Sequence, residues 1–392
     1  MSLRQLDRKY LGRESAAQNI EVARTKGAFV YDARGRRYID FLSGWCVGNF
    51  GWDNAAIAKP PARRRPDYVY PDFLYRPWVE LAQLLARITP GKLEKTYRAT
   101  GGSEAVDIAL QIAMASTGRR KFVALEGSYH GNTIGTVSIA STEWRAPYPN
   151  LLSNCMTISP PLADRAIARL ETLLKKRDVA AFIMEPISCN LAVLIPEDAF
   201  MKRAQQLCRR YGTLFIADEV ACGFGRTGKL FASEYFDLEP DILCMGKAIT
   251  GGFAPMGATI VTPKVARSVE GEVGFYSTYG WHPSTVDVAI RNVRWLIRNQ
   301  ARLLRDAAKI SAYFGQRLAA MNFEDRKDIR IRGMAIAVEA GDGGYVSAIA
   351  DRCSKNGLLL TTAGNAITMF PPLTLDLRTA KAGLDILEKS LR

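Results

Sequence analysis

Five short segments carry side chains whose types could do chemistry together: Gly101-Gly102-Ser103, Glu126–His130, Glu185, Asp218 and Lys247. A Gly-Gly-Ser turn ahead of a helix leaves backbone N–H groups free at the positive end of the helix dipole, with a hydroxyl beside them. That arrangement receives a phosphate dianion. A lysine partly shielded from water becomes a nucleophilic amine that condenses with a carbonyl. An aspartate facing a pyridine nitrogen keeps that nitrogen protonated, because the opposite charge favours the cationic form. Each feature also has a bland reading. A carboxylate after a strand often caps the next helix, and a lone lysine there is usually solvated. In this order along one chain, however, they supply a phosphate cup, an aromatic, an acid and an amine. Those are the protein's contributions to pyridoxal 5′-phosphate chemistry.

Ligands of open parallel sheets bind at the carboxyl ends of the strands, so the elements ahead of these residues decide whether they meet. Lys95–Thr100 reads as a strand, Glu104–Ser116 as a helix stopped by Gly118, and Lys121–Glu126 as the next strand. Ala180–Met184 is an apolar strand ending at Glu185, Thr213–Ala217 one ending at Asp218, and Asp241–Met245 one before Gly246-Lys247. Helices are expected over Asp164–Lys176, Ala199–Arg210 and Thr285–Arg298, with a further strand at Met256–Val261. Apolar strands alternating with helices predict a buried, mostly parallel sheet. The C-terminal part reads as a smaller α+β unit. It holds an alternating strand Ile329–Val338, a helix Tyr345–Lys355, short strands Leu358–Thr361 and Ile367–Phe370, and a closing helix Thr379–Leu391. Ala28–Ile39 is hairpin-like around Asp32-Ala33-Arg34-Gly35. The expected division is an N-terminal segment 1–50 that joins the small domain, a large α/β domain 51–300, and a C-terminal small domain 301–392.

The 392 residues are 48% hydrophobic and 23% charged, which excludes a disordered or low-complexity chain. A chain of this length needs no disulfide or metal to hold its core. No uncharged apolar run reaches the roughly 18 residues of a membrane span, and Met1–Arg8 lacks the apolar stretch of a signal peptide. Seven cysteines without paired spacing, and two distant histidines, His130 and His282, suggest no metal site. Reduced thiols in a cytoplasmic protein are expected. The net charge of +14 is spread over short runs, Arg63-Arg64-Arg65, Arg119-Arg120-Lys121 and Lys175-Lys176-Arg177. No basic stripe interleaves with aromatics, so a solvated surface is expected rather than a nucleic-acid or membrane partner.

The run Asp218-Glu219-Val220-Ala221-Cys222-Gly223-Phe224-Gly225-Arg226-Thr227-Gly228-Lys229-Leu230-Phe231, followed by Pro240-Asp241-Ile242-Leu243 and Gly246-Lys247-Ala248, closely resembles the signature of the class III pyridoxal-phosphate aminotransferases. The resemblance spans nearly the whole chain. In family order come Gly27–Asp40 with Phe41-Leu42-Ser43-Gly44, then Gly102-Ser103-Glu104-Ala105, Tyr129-His130-Gly131, Glu185-Pro186-Ile187, Ser277-Thr278-Tyr279-Gly280 and Pro371-Pro372-Leu373. It implies a fold-type I α/β transferase: a large domain with a mostly parallel central sheet, and a smaller α+β domain.

The resemblance also implies roles. Lys247 would be the Schiff-base lysine and the acid/base at the substrate Cα, and Asp218 would hold the pyridinium nitrogen. Tyr129, in a loop with His130, would stack on one ring face and Val220 on the other, although both could simply be core. Gly102 and Ser103 would bind the phosphate, and Glu185 would lie near the substrate and the cofactor's O3′ side. Thr278 would reach the phosphate of a neighbouring subunit, which implies a homodimer with shared active sites, or a tetramer of such dimers.

Departures from the family pattern bear on substrate. Glu185-Pro186-Ile187 continues as Ser188-Cys189-Asn190-Leu191, and Ala221 stands where a glutamine is usual. Thr368 stands where members acting on ornithine-type substrates carry a carboxylate-gripping arginine. A hydroxyl cannot replace that guanidinium's charge, although Arg145 or Arg332 could swing in. Gly51-Trp52-Asp53 replaces a usual Gly-His, and Trp45 and Trp52 add bulk to the substrate pocket or to the core. The expected function is transfer of an amino group from an amine or ω-amino acid to pyruvate or 2-oxoglutarate. An aminomutase or racemase on the same cofactor, or a non-catalytic regulator on the same fold, are the alternatives.

Overall fold

The computed structural model describes residues 1–12, 18, 20–58, 65–272 and 276–392. Of the basic run at 63–65, Arg63 and Arg64 lie outside the described residues, while Arg65 pairs with Asp287 at 3.0 Å.

A seven-stranded sheet forms the centre. From one edge its strands are Lys95–Ala99, Gly257–Val261, Ile242–Met245, Leu214–Asp218, Val179–Met184, Lys121–Leu125 and Cys155–Ile158. Gly257–Val261 is antiparallel to both its neighbours, and the other pairings are parallel. Six of the seven strands therefore point the same way, as their apolar composition predicts. All six residues of Val179–Met184 are buried, as expected for a strand covered on both faces. The helix Gly102–Thr117 lies against the sheet through Ala105, Val106, Ile108, Ala109 and Ile112. It ends where Gly118 adopts a left-handed conformation and donates its N–H to Met114 O.

Two four-stranded sheets make up the rest. In one, the N-terminal strands Val22–Lys26, Phe29–Asp32 and Arg37–Asp40 are joined by the C-terminal strand Leu358–Leu359, parallel to Arg37–Asp40. The first and last parts of the chain thus share a sheet. The other contains Asp328–Arg332, Ala335–Glu339, Ala366–Met369 and Thr361–Ala363.

Two expectations need correction. Ile329–Val338 is not one strand but a hairpin, Asp328–Arg332 paired antiparallel to Ala335–Glu339. Alternation continues through the turn, so the pattern hid the break. Gly333 marks it: its φ is +59°, and a Cβ there would sit 2.3 Å from the Thr227 backbone. The helix expected over Thr285–Arg298 runs from Pro283 to Ala320, so residue 300 lies inside one continuous helix. Leu303, Ala307, Ile310, Phe314 and Leu318 keep helical spacing on its buried face. The arginines near 298 resemble a helix C-terminus, but here they are solvated side chains on a helix that continues.

The other basic runs have local partners. Arg119 donates to the carbonyls of Val179, Tyr211 and Gly212, and Lys121 pairs with Asp178 at 2.6 Å. All seven cysteines are free. Among the described residues, no helix is long and apolar enough to cross a membrane, and no His, Cys, Asp and Glu cluster could hold a metal.

Candidate active site

Because the strands run parallel, the residues that follow them converge at one end of the sheet. There Gly102, Ser103, Tyr129, His130, Glu185, Asp218, Val220 and Lys247 line one cavity of about 110 Å³, with Gly131, Asn190 and Ala221. Of the residues to which the resemblance gives a role at the cofactor, only Thr278 lies elsewhere. It is exposed, beside Tyr276 and Tyr279.

Asp218 ends the strand Leu214–Asp218 and is 3% exposed. Its Oδ1 accepts from the N–H of Val220 at 3.0 Å, and its Oδ2 lies 2.6 Å from His130 Nδ1. With its proton on Nδ1, His130 is the donor of this bond. His130 Nε2 is buried without a partner. Glu185 Oε2 accepts from Ser188 Oγ at 2.7 Å and from the N–H of Asn190 at 3.3 Å, while Oε1 has no partner. Burial, and then the negative charge of Asp218, push the Glu185 carboxyl above the usual range. Glu219 points the other way. It accepts from the backbone of Ala232 and Ser233 and from Ser233 Oγ, and burial raises it to about 7.

Lys247 opens a short turn after Ile242–Met245 with φ +42°. A side chain in that left-handed region costs roughly 1–3 kcal/mol and persists where the surroundings impose it. The helix Gly102–Thr117 starts without any side-chain cap, so its first N–H groups are available to an anion. A Cβ on Gly102 would lie 2.8 Å from Val220 Cγ1. Val220 therefore closes against a turn that only glycine fits.

A larger cleft of about 730 Å³ shares Tyr129, Asn190 and Lys247 with this cavity. Its walls include Trp45, Trp144, Arg330 and Asn365. Trp45 stands on a left-handed turn, Ser43–Cys46, with φ values of +47°, +59°, +59° and +66°. Asp40 holds that turn by accepting from the N–H groups of Leu42 and Ser43 and from Trp52 Nε1. Trp52 thus braces the turn from behind, while Trp45 packs on Phe370 at 4.8 Å and lies 5.9 Å from Lys247 Nζ. Thr368 is fully buried, its hydroxyl donating to Thr361 O, and it does not line the cleft. Arg145 donates to Cys155 O, and Arg332 stacks on Tyr235. The cleft arginine is Arg330, which the sequence did not single out. Its place two residues before Arg332 in an alternating stretch was the only signal.

The family model for aminotransferase class-III matches residues 10–391. The chain belongs to the class-III aminotransferases. It is 32% identical to an acetylornithine aminotransferase of Methanosarcina mazei over 98% of this chain and 95% of that protein. It is 29% identical to an adenosylmethionine-8-amino-7-oxononanoate aminotransferase of Staphylococcus aureus, covering 99% and 97%. Among solved structures, an amine transaminase from an uncultivated Pseudomonas species, described as PLP-bound, superposes with a TM-score of 0.85 at 27% identity, covering 97% of each chain. An omega transaminase of Pseudomonas jessenii in complex with PMP gives a TM-score of 0.90 at 23% identity, covering 100% of this chain and 98% of that one. This aminotransferase has the fold-type I architecture its sequence resembles.

The residues present fit the family's cofactor, pyridoxal 5′-phosphate. An uncapped helix N-terminus, an amine, a paired carboxylate and two unpartnered buried polar atoms, Glu185 Oε1 and His130 Nε2, occur in one small cavity.

Proposed function

We propose that this aminotransferase binds pyridoxal 5′-phosphate in the 110 Å³ cavity and moves an amino group from an amine or ω-amino acid to a 2-oxo acid such as pyruvate or 2-oxoglutarate. The observation that carries the reading is the convergence of Lys247, Asp218 and the free N-terminus of Gly102–Thr117 on one cavity. When bound, the cofactor's ring accepts the electron pair released at the substrate carbon.

The chain's residues do the rest. Gly102 and Ser103 hold the phosphate through backbone N–H groups and a hydroxyl. Asp218, fixed by His130 and by the Val220 N–H, keeps its charge on the ring nitrogen. Tyr129 and Val220 confine the ring from its two faces. Lys247 Nζ carries the amine that holds the cofactor's aldehyde, and it takes and returns a proton at the substrate Cα. Glu185 bounds the O3′ side, where Ala221 offers no hydrogen bond.

Thr278 acts, in this reading, in a second copy of the chain, completing the neighbour's phosphate site in a homodimer. Exposed Tyr68, Tyr70, Phe73, Leu74, Tyr276 and Tyr279 near it supply an apolar surface for such a copy. Sedimentation showing a fully active monomer would overturn this part. Seven free cysteines, six of them buried, support a reducing, cytoplasmic setting. Oxidised cysteine pairs in protein isolated from its source would count against that setting.

The relatives are named for different substrates, so the cleft of this chain decides its donor. Thr368 is buried and uncharged and offers N-acetylornithine no carboxylate partner, so a donor bearing that carboxylate gains over a simple ω-amine only through another cation of the cleft wall. A donor screen against pyruvate and 2-oxoglutarate tests both levels. No amine-dependent turnover with any donor overturns the transaminase reading. A tenfold preference for N-acetylornithine over a simple ω-amine, about 1.4 kcal/mol, locates a carboxylate-binding cation elsewhere in the wall and leaves the transaminase reading standing.

A further inference from the structure

We propose that Arg330 is a specificity-determining residue that binds a substrate carboxylate remote from the reacting carbon, an inference that rests on the transaminase reading above. Arg330 lines the 730 Å³ cleft together with Lys247, but it does not line the small cavity. A substrate whose reacting carbon lies at Lys247 therefore meets Arg330 only with its far end.

The guanidinium is held but not saturated. Its Nη2 pairs with Glu339 Oε2 at 3.1 Å, and the side chain is 20% exposed. Nε is buried and has no hydrogen-bond partner, because Asp328 Oδ2 stays 3.8 Å away. Glu339 is itself anchored, its Oε1 accepting from Asn365 Nδ2 at 3.2 Å, and Asn365 also lines the cleft. Glu339 thus keeps the cation in place when a substrate brings no carboxylate, so a plain amine leaves no unpaired buried charge. A substrate carboxylate adds the planar, bidentate partner that arginine's fork matches. The remaining charged residue of the wall, Glu143, is exposed and competes only weakly through solvent.

The chemistry recognised is a carboxylate, and it has two sources: the far end of an ω-amino acid donor, or the distal carboxylate of a dicarboxylic 2-oxo acid. Three measurements on the holoenzyme separate them. The first compares kcat/KM for an ω-amino acid with that for the matched amine lacking the carboxylate. The second compares 2-oxoglutarate with pyruvate as acceptor. The third titrates the unreactive dicarboxylate glutarate against the fluorescence of Trp45 and Trp144, a binding readout independent of turnover.

In Arg330→Gln the selectivity for one or both carboxylate-bearing substrates falls roughly 10- to 100-fold, mainly through KM, as expected for a lost charge-assisted bond. Glutarate binding weakens in parallel. Arg330→Lys, which keeps the charge without the fork, falls in between. Because Arg330→Gln leaves Glu339 unpaired, the double variant Arg330→Gln/Glu339→Gln removes both charges and must show the same loss of selectivity. Selectivity ratios and glutarate affinity unchanged in both variants, in an enzyme that still transaminates, overturn the proposal and leave the function intact. Absence of transamination in the unsubstituted protein overturns the function instead.

Discussion

The small cavity and the larger cleft share three residues and are built in opposite ways. The cavity is assembled from the ends of parallel strands of one sheet, and its two carboxyl groups are each fixed by a neighbour, Asp218 by His130 and Glu185 by Ser188. The cleft takes its walls from the N-terminal turn at Trp45, the short helix Thr142–Arg145 carrying Trp144, the strand Asp328–Arg332 carrying Arg330, and the turn at Asn365 between the last two strands. The chemistry common to a family belongs in the first kind of site, where geometry is set by the central sheet. Substrate choice belongs in the second, where a wall can change without moving the cofactor.

That contrast predicts graded effects. The largest belongs to Lys247→Ala, which is expected to lower kcat by more than about 10³-fold while the fold persists. Near-normal transamination would break the assignment of the cavity.

A second prediction concerns the rigidity beneath the cavity, where Glu219 ties the end of the Asp218 strand to Ala232 and Ser233. Burial pushes this carboxyl up to about 7, above the ordinary glutamate value of about 4.5. The folded state therefore holds the proton more tightly, and stability falls as pH rises from about 4.5 to 7, by about 3 kcal/mol. Urea midpoints measured across that window should decline in the parent protein and stay flatter in Glu219→Gln. An equal slope in both would show that the strand end does not depend on this carboxyl.

A smaller effect is expected from Gly102→Ala. The new methyl meets Val220 Cγ1, and overpacking of about 1–3 kcal/mol should weaken cofactor binding about tenfold or more, measured by dialysis against free cofactor. Trp45→Ala, on the cleft side, should change cofactor affinity least. Losing its contact with Lys247 Nζ at 5.9 Å is worth roughly threefold, while the range of donors widens. If Trp45→Ala weakened cofactor binding more than Gly102→Ala, the separation of the two sites would fail.

The sequence by itself determined the central sheet, its strand ends and the identity of the groups gathered there. Apolar strands alternating with helices leave one topology in which Gly102, Tyr129, Glu185, Asp218 and Lys247 share an edge, because parallel strands put their carboxyl ends on the same side. Local pattern sufficed because each residue's position follows from the strand immediately before it. Only the tertiary structure decided the cleft. That Trp45 reaches Lys247 depends on a left-handed turn braced by Asp40 and Trp52, which no periodicity announces. That Arg330 lines the cleft and Thr368 does not depends on a hairpin turned at Gly333, hidden within an unbroken alternation. The reach of the helix to Ala320 depends on packing that outweighs a run of polar residues near 300. These contacts join segments far apart in the chain, and their geometry is set by how the smaller sheets dock against the central one.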